Sequence, residues 1–121
     1  IAAKTGMFNI VGHLDVIKVF GFRPKGDVIA YALPALEAIR QSGAAVEINT
    51  NGRYKPVKEI YPAPDLLREC CRMGIPVTLG SDAHVPENAG RDIDTAADMA
   101  LSAGYTRVAT FKGRQMYFLP I

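Results

Sequence analysis

His13 and His84 are the two histidines of the chain, and each stands just past a short apolar run. His13 follows Phe8-Asn9-Ile10-Val11-Gly12. His84 closes Ser81-Asp82-Ala83-His84, after Ile75-Pro76-Val77-Thr78-Leu79-Gly80. In α/β proteins, metal-binding and catalytic side chains gather at the carboxyl ends of buried parallel strands. Residues i and i+2 of an extended segment point the same way, so the Asp82 carboxylate and the His84 imidazole can meet above one strand end. A carboxylate oxygen with an imidazole nitrogen suits zinc, manganese or iron. Ser81 can donate to a phosphate or orient Asp82. Spacing alone equally allows Ser81-Asp82 to cap a turn and His84 to be a surface residue.

His13 has Asp15 two residues on, and the same logic lets Asp15 hold the imidazole in place. A lone histidine bonded within a loop is the plainer reading, but two such placements together favour a site. Glu47 lies inside an apolar run between Val46 and Ile48. A buried carboxylate is costly unless paired, so it reads equally as a group holding ligands or substrate and as half of an ion pair with Lys or Arg. Arg53 and Lys55 lie just beyond that run, where a planar bidentate donor and a point charge would suit an anion. A solvated polar loop is the alternative. Lys18 and Arg91 are weaker candidates of the same kind.

The frame for these residues follows from the periodicities. Residues 8–12 predict a buried strand. Residues 28–40 carry a helical spacing that Asp27 could cap, but Pro34 is awkward in a helix interior, so a regular helix is expected from near Pro34 to Gly43. Residues 44–49 predict a second strand and 50–64 a long loop with an Asn51-Gly52 turn. A helix over 64–73, a strand over 76–80 and a loop over 81–91 follow. A helix from Asp92 or Asp94 to Ala103 then leads to strands at 107–111 and 115–119, joined by a Lys112-Gly113 turn. The order β-α-β-α-β-α-β-β means α/β architecture with a mostly parallel sheet. No linker or domain boundary interrupts 1–121.

Composition narrows the function. The chain has 121 residues, 49% hydrophobic and 21% charged, ordinary for a globular domain. A net charge of +2 with scattered cations disfavours nucleic-acid or membrane partners. No apolar run approaches the roughly 20 residues that span a bilayer, and no signal peptide is visible. Adjacent Cys70 and Cys71 point apart on a helix and read as reduced thiols, which suits the cytoplasm.

Four segments carry a family resemblance. They are Ile10-Val11-Gly12-His13-Leu14-Asp15, Val46-Glu47-Ile48-Asn49-Thr50, Lys55-Pro56-Val57-Lys58-Glu59-Ile60-Tyr61-Pro62 and Leu79-Gly80-Ser81-Asp82-Ala83-His84. In this order they resemble the C-terminal half of a PHP-domain phosphoesterase, nearest the histidinol-phosphatase group. The resemblance covers nearly the whole chain. It implies a distorted (β/α)7 barrel with two or three divalent metal ions (Zn, Mn or Fe) at its strand ends, hydrolysing a phosphorylated small molecule. It implies His13, Asp82 and His84 as metal ligands and catalytic residues, Arg53 or Lys55 as the phosphate-holding cation, and a substrate-side role for Glu47 and Ser81. The metals would generate a hydroxide and neutralise the phosphate. The His-x-His motif that opens the family is absent. The chain therefore reads as the C-terminal part of one PHP domain, inactive alone, whose barrel needs the N-terminal half or another protomer. A PHP module acting on nucleotides or nucleic-acid ends, and a non-catalytic barrel fragment, are the rival readings.

Overall fold

Val46 and Ile48 sit fully buried at the centre of the core, while Glu47 between them points to the other face of its strand. This alternation sets the architecture. In the computed structural model, which describes residues 1–121, β1 (Ile10–Val11), β2 (Ala45–Asn49) and β3 (Val77–Gly80) form one three-stranded sheet in the order β1-β2-β3. Both pairings are parallel. Val11 lies opposite Val46, Glu47 opposite Thr78 and Asn49 opposite Gly80. Helices α1 (Val28–Ser42), α2 (Pro64–Arg72) and α3 (Ile93–Ala103) connect and follow the strands. Leu36 and Ile39 of α1, Leu66, Leu67 and Cys70 of α2, and Ala96 and Ala100 of α3 pack with Val46, Ile48 and Val77 in one apolar cluster. Burying each large aliphatic side chain contributes about 1.5–3 kcal/mol.

The mixed α/β class and the parallel strand order expected from the sequence are observed. Three details differ. Helix α1 begins six residues before Pro34, because Asp27 caps it: one carboxylate oxygen accepts from the Ile29 and Ala30 N–H groups. A satisfied N-terminus and the buried Leu36 and Ile39 outweigh the one backbone bond that an exposed proline removes. The closing strands β4 (Arg107–Lys112) and β5 (Gln115–Pro120) form the expected antiparallel hairpin, but as a sheet separate from the parallel one. Its turn is Gly113-Arg114, one residue later than expected, since Lys112 pairs with Gln115. Both turn residues have positive φ, 54° and 68°, as a two-residue turn matching strand twist requires. Finally, β1 is two residues long and forms one edge of the sheet. Arg114 ties the segment before it to the hairpin, its Nε donating to Asn9 Oδ1 at 2.9 Å.

No helix is long and apolar enough to cross a membrane.

Candidate active site

Because all three strands of the sheet run parallel, the residues that follow them lie on one rim. His13 comes two residues after β1, the 3₁₀ turn Thr50–Tyr54 follows β2 directly, and Ser81, Asp82 and His84 follow β3. Glu47 occupies the middle of this rim, on the sheet face opposite the helices. Its carboxylate lies in a slot between two glycines. A Cβ on Gly80 would meet Glu47 Oε1 and lie 2.9 Å from its Cδ, and a Cβ on Gly12 would lie 3.2 Å from Oε2. Gly12 and Gly80 thus provide space for the carboxylate rather than unusual backbone torsions. Glu47 Oε2 accepts from the His13 backbone N–H at 3.2 Å and from Asn49 Nδ2 at 2.9 Å. No lysine or arginine pairs with it, so the ion-pair reading of Glu47 is replaced by one in which the carboxylate fixes the backbone at His13.

Asp82 is the node of a second network. Asn51 Nδ2 donates to Asp82 Oδ2 at 3.1 Å and to its main-chain oxygen at 3.3 Å. That same main-chain oxygen lies 2.8 Å from His84 Nδ1. A carbonyl oxygen can only accept, so Nδ1 carries the proton, and in the neutral ring the Nε2 lone pair is left for a ligand. Asp82 is half-buried and His84 exposed. His13 and Asp82 both adopt positive φ, 30° and 48°. Such strain in non-glycine residues concentrates at functional sites, but Lys58, Asp92 and Arg114 share it, so it counts here only together with the placement.

The other sequence candidates fall into different roles. Asp15 does not hold His13: it pairs with Lys18 at 3.0 Å and accepts the Ala63 N–H at 2.9 Å. Lys18 is buried, pairs also with Glu59 at 3.2 Å and donates to the Ile60 carbonyl, so its charge is consumed inside the fold. Ser81 Oγ accepts the Gly90 N–H at 3.0 Å and pins the loop after β3. Arg53 pairs with Asp92 at 3.3 Å and reaches Thr95, both at the start of α3. Asp92 does not cap α3: its backbone is left-handed, with φ 59°, and its carboxylate is taken up by Arg53 and by the Tyr54 hydroxyl, which donates at 2.7 Å. The Tyr54 phenol is pushed up chiefly by that hydrogen bond. Lys55 is exposed, without a side-chain hydrogen bond or ion pair. Of the cations near the rim, Arg91 is the one wired to Asp82, through Asn51. Asn49 and Asn51 are the rim residues that sequence reasoning missed. The Glu47-Ile48-Asn49 alternation could have flagged Asn49. Asn51 carried only a turn signal.

No three His, Cys, Asp or Glu side chains converge as a metal site would need. A divalent ion takes about four ligands or more. His13, Asp82 and His84 therefore share a rim but do not by themselves make an ion site, because they leave β1 and β3 on either side of Glu47 and the strand between.

No family model matches the chain. Curated proteins do. It is 45% identical over 116 residues to a protein of Deinococcus radiodurans named "Probable histidinol-phosphatase", covering 95% of this chain and 43% of that protein. The chain is similar to histidinol-phosphatases. A "Probable histidinol-phosphatase" of Schizosaccharomyces pombe is 28% identical over 80% of the chain and 34% of its own length. The "Histidinol-phosphatase" of Lactococcus lactis is 28% identical over 90% of the chain and 42% of its own length. The chain thus spans less than half the length of the histidinol-phosphatases it matches, and they support the histidinol-phosphatase group indicated by the sequence segments.

Proposed function

We propose that this chain is part of a metal-dependent phosphatase of the histidinol-phosphatase type, built on a PHP barrel, that hydrolyses a phosphomonoester. The likeness to histidinol-phosphatases over nearly all of this chain supports the reaction class. The structural observation that carries most weight is the His84–Asp82 pair. The main-chain oxygen of Asp82 fixes the His84 tautomer and leaves Nε2 without a partner at the strand-end rim, while Asn51 holds the Asp82 carboxylate. A ring nitrogen held by a backbone oxygen with the other left open is how a metal-binding histidine is oriented.

The ligand set is completed in this reading by residues outside this chain. His13, Asp82 and His84 are the ones this chain contributes, and zinc, manganese or iron suits a mixed imidazole and carboxylate set. Exposed Phe8 and Ile10 at the edge strand β1, and Ile17 and Phe20 in the 3₁₀ segment Val16–Phe20 that follows, support a covering element, the rest of the protein or another protomer. Of Arg53 and Lys55, Arg53 is held by Asp92, so Lys55 is assigned to meet the phosphate.

The test is hydrolysis of histidinol phosphate by the full-length protein, with metal content measured by elemental analysis. Asp82→Ala and His84→Ala are expected to lower kcat/KM by about 100-fold or more and to reduce bound metal. Wild-type turnover in both variants would refute the proposal.

A further inference from the structure

Arg91 ends the loop that leaves β3, yet its side chain is organised by the turn that follows β2. Its Nη2 donates to Asn51 Oδ1 at 3.3 Å and its Nη1 to Asn88 Oδ1 at 3.0 Å. The guanidinium carbon lies 3.4 Å from the centre of the Tyr54 ring, a stacked cation–π contact. Its main-chain oxygen accepts from Thr50 Oγ1 at 2.7 Å. The Arg91 Nε is buried and without a partner, so this edge of the guanidinium faces protein rather than solvent.

Asn51 is buried between Arg91 and Asp82. The polarity of this chain of bonds is fixed at both ends, because an arginine can only donate and the main-chain oxygen of Asp82 can only accept. The amide of Asn51 must therefore turn its oxygen to Arg91 and its nitrogen to Asp82. A flipped amide would set donor against donor at one end and acceptor against acceptor at the other. Its nitrogen bridges the side chain and the main-chain oxygen of Asp82, at 3.1 and 3.3 Å, across a residue whose φ of 48° is strained. The same main-chain oxygen holds His84 Nδ1.

We propose that Arg91 and Asn51 form a positioning relay that sets the Asp82 carboxylate and, through its main-chain oxygen, the His84 ring. Arg91 is a positioning residue, not a substrate cation. The inference rests on the proposed function for its effect on turnover, but the relay itself is readable without activity.

Arg91→Met and Asn51→Ala in the full-length protein test it. Each is expected to lower kcat on histidinol phosphate about 10-fold or more, with KM within about threefold. The double variant is expected to lose no more than the worse single one, since both cut one chain. Arg91→Lys, which keeps a donor, is expected to retain more kcat than Arg91→Met, and serves if the methionine variant does not fold. Multiplying losses, or unchanged kcat in either single variant, would overturn the relay. A crystal structure of Asn51→Ala gives the independent readout: Asp82 is expected to change rotamer or His84 to lose its bond to the Asp82 oxygen. Both side chains unmoved would sink the relay whatever the kinetics. A wild-type protein inert towards histidinol phosphate would overturn the proposed function, while the crystal comparison would still decide the relay.

Discussion

Glu47 and Gly80 occupy one space on neighbouring strands: the carboxylate of the first fills the volume that a side chain on the second would need. A Cβ on Gly80 would lie 2.9 Å from Glu47 Cδ and 3.1 Å from its Cγ. Gly80→Ala is therefore expected to destabilise the protein by about 1–3 kcal/mol through overpacking. Glu47→Ala in the same chain should recover much of that loss, so the two substitutions are strongly non-additive. Denaturant unfolding of the two single variants and the double variant measures the coupling. Additive losses would mean that the slot is not shared.

The two cysteines, adjacent in sequence, differ in reactivity. Cys70 is fully buried in the core and its thiol is pushed up to about 12, mainly by desolvation. Cys71 is partly exposed. The thiolate is the reactive form, so Cys70 is no nucleophile at neutral pH. Iodoacetamide at pH 8 is expected to label Cys71 in the folded protein and Cys70 only after unfolding, as peptide mass spectrometry would read. Rapid labelling of folded Cys70 would contradict its burial.

The elements were legible where one period dominates. Val46 and Ile48 against Glu47 gave β2, and Leu66, Leu67 and Cys70 gave α2. Pro34 misled because its cost was set above the Asp27 cap, visible in the sequence, and the core contacts of Leu36 and Ile39, which only the packed fold shows. The rim was legible through Gly12-His13 and Ser81-Asp82-Ala83-His84, which follow parallel strands. Its wiring was not. Asn51 meets Asp82 across 31 positions and Arg91 meets Asn51 across 40, and no local pattern encodes pairs so far apart in sequence. Asp15 and Lys18 show the converse. Asp15 sits at the right spacing to serve His13 but finds a lysine one 3₁₀ turn away.

Glu37 supplies a pH signature on α1. Arg40 donates to both of its carboxylate oxygens, at 2.7 and 2.8 Å, and lowers its pKa to about 2, below the 4.5 of a free glutamate; Gln41 adds a smaller pull the same way. The folded pKa is depressed, so this contribution is fully present above pH 4.5 and is lost as pH falls towards 2. Wild type and Glu37→Gln should therefore differ most in stability above pH 4.5 and converge between 4.5 and about 2. The pair is well exposed, so added salt should shrink the difference. A gap that widens on acidification would reverse the sign and exclude this origin.

Lys18 is the buried charge on which the segment between β1 and α1 depends. Only 5% of its side chain is exposed, and it meets Asp15 at 3.0 Å, Glu59 at 3.2 Å and the Ile60 carbonyl at 2.9 Å, with its ammonium 5.3 Å from the Tyr61 ring centre. Lysine is almost never buried unless it is paired in this way. Lys18→Met keeps the aliphatic stem but leaves the Asp15 carboxylate, 13% exposed, without its cation. Removing one partner of such a pair costs about 3–5 kcal/mol. Glu59 is 45% exposed and can turn to water, which places the expected loss at the lower end, about 3 kcal/mol. Asp15→Asn added to Lys18→Met should restore part of the stability, because it removes the stranded charge while keeping an oxygen for the Ala63 N–H. Thermal or denaturant unfolding of the two variants decides it. A double variant less stable than Lys18→Met alone would show that Asp15 is held by something other than this lysine.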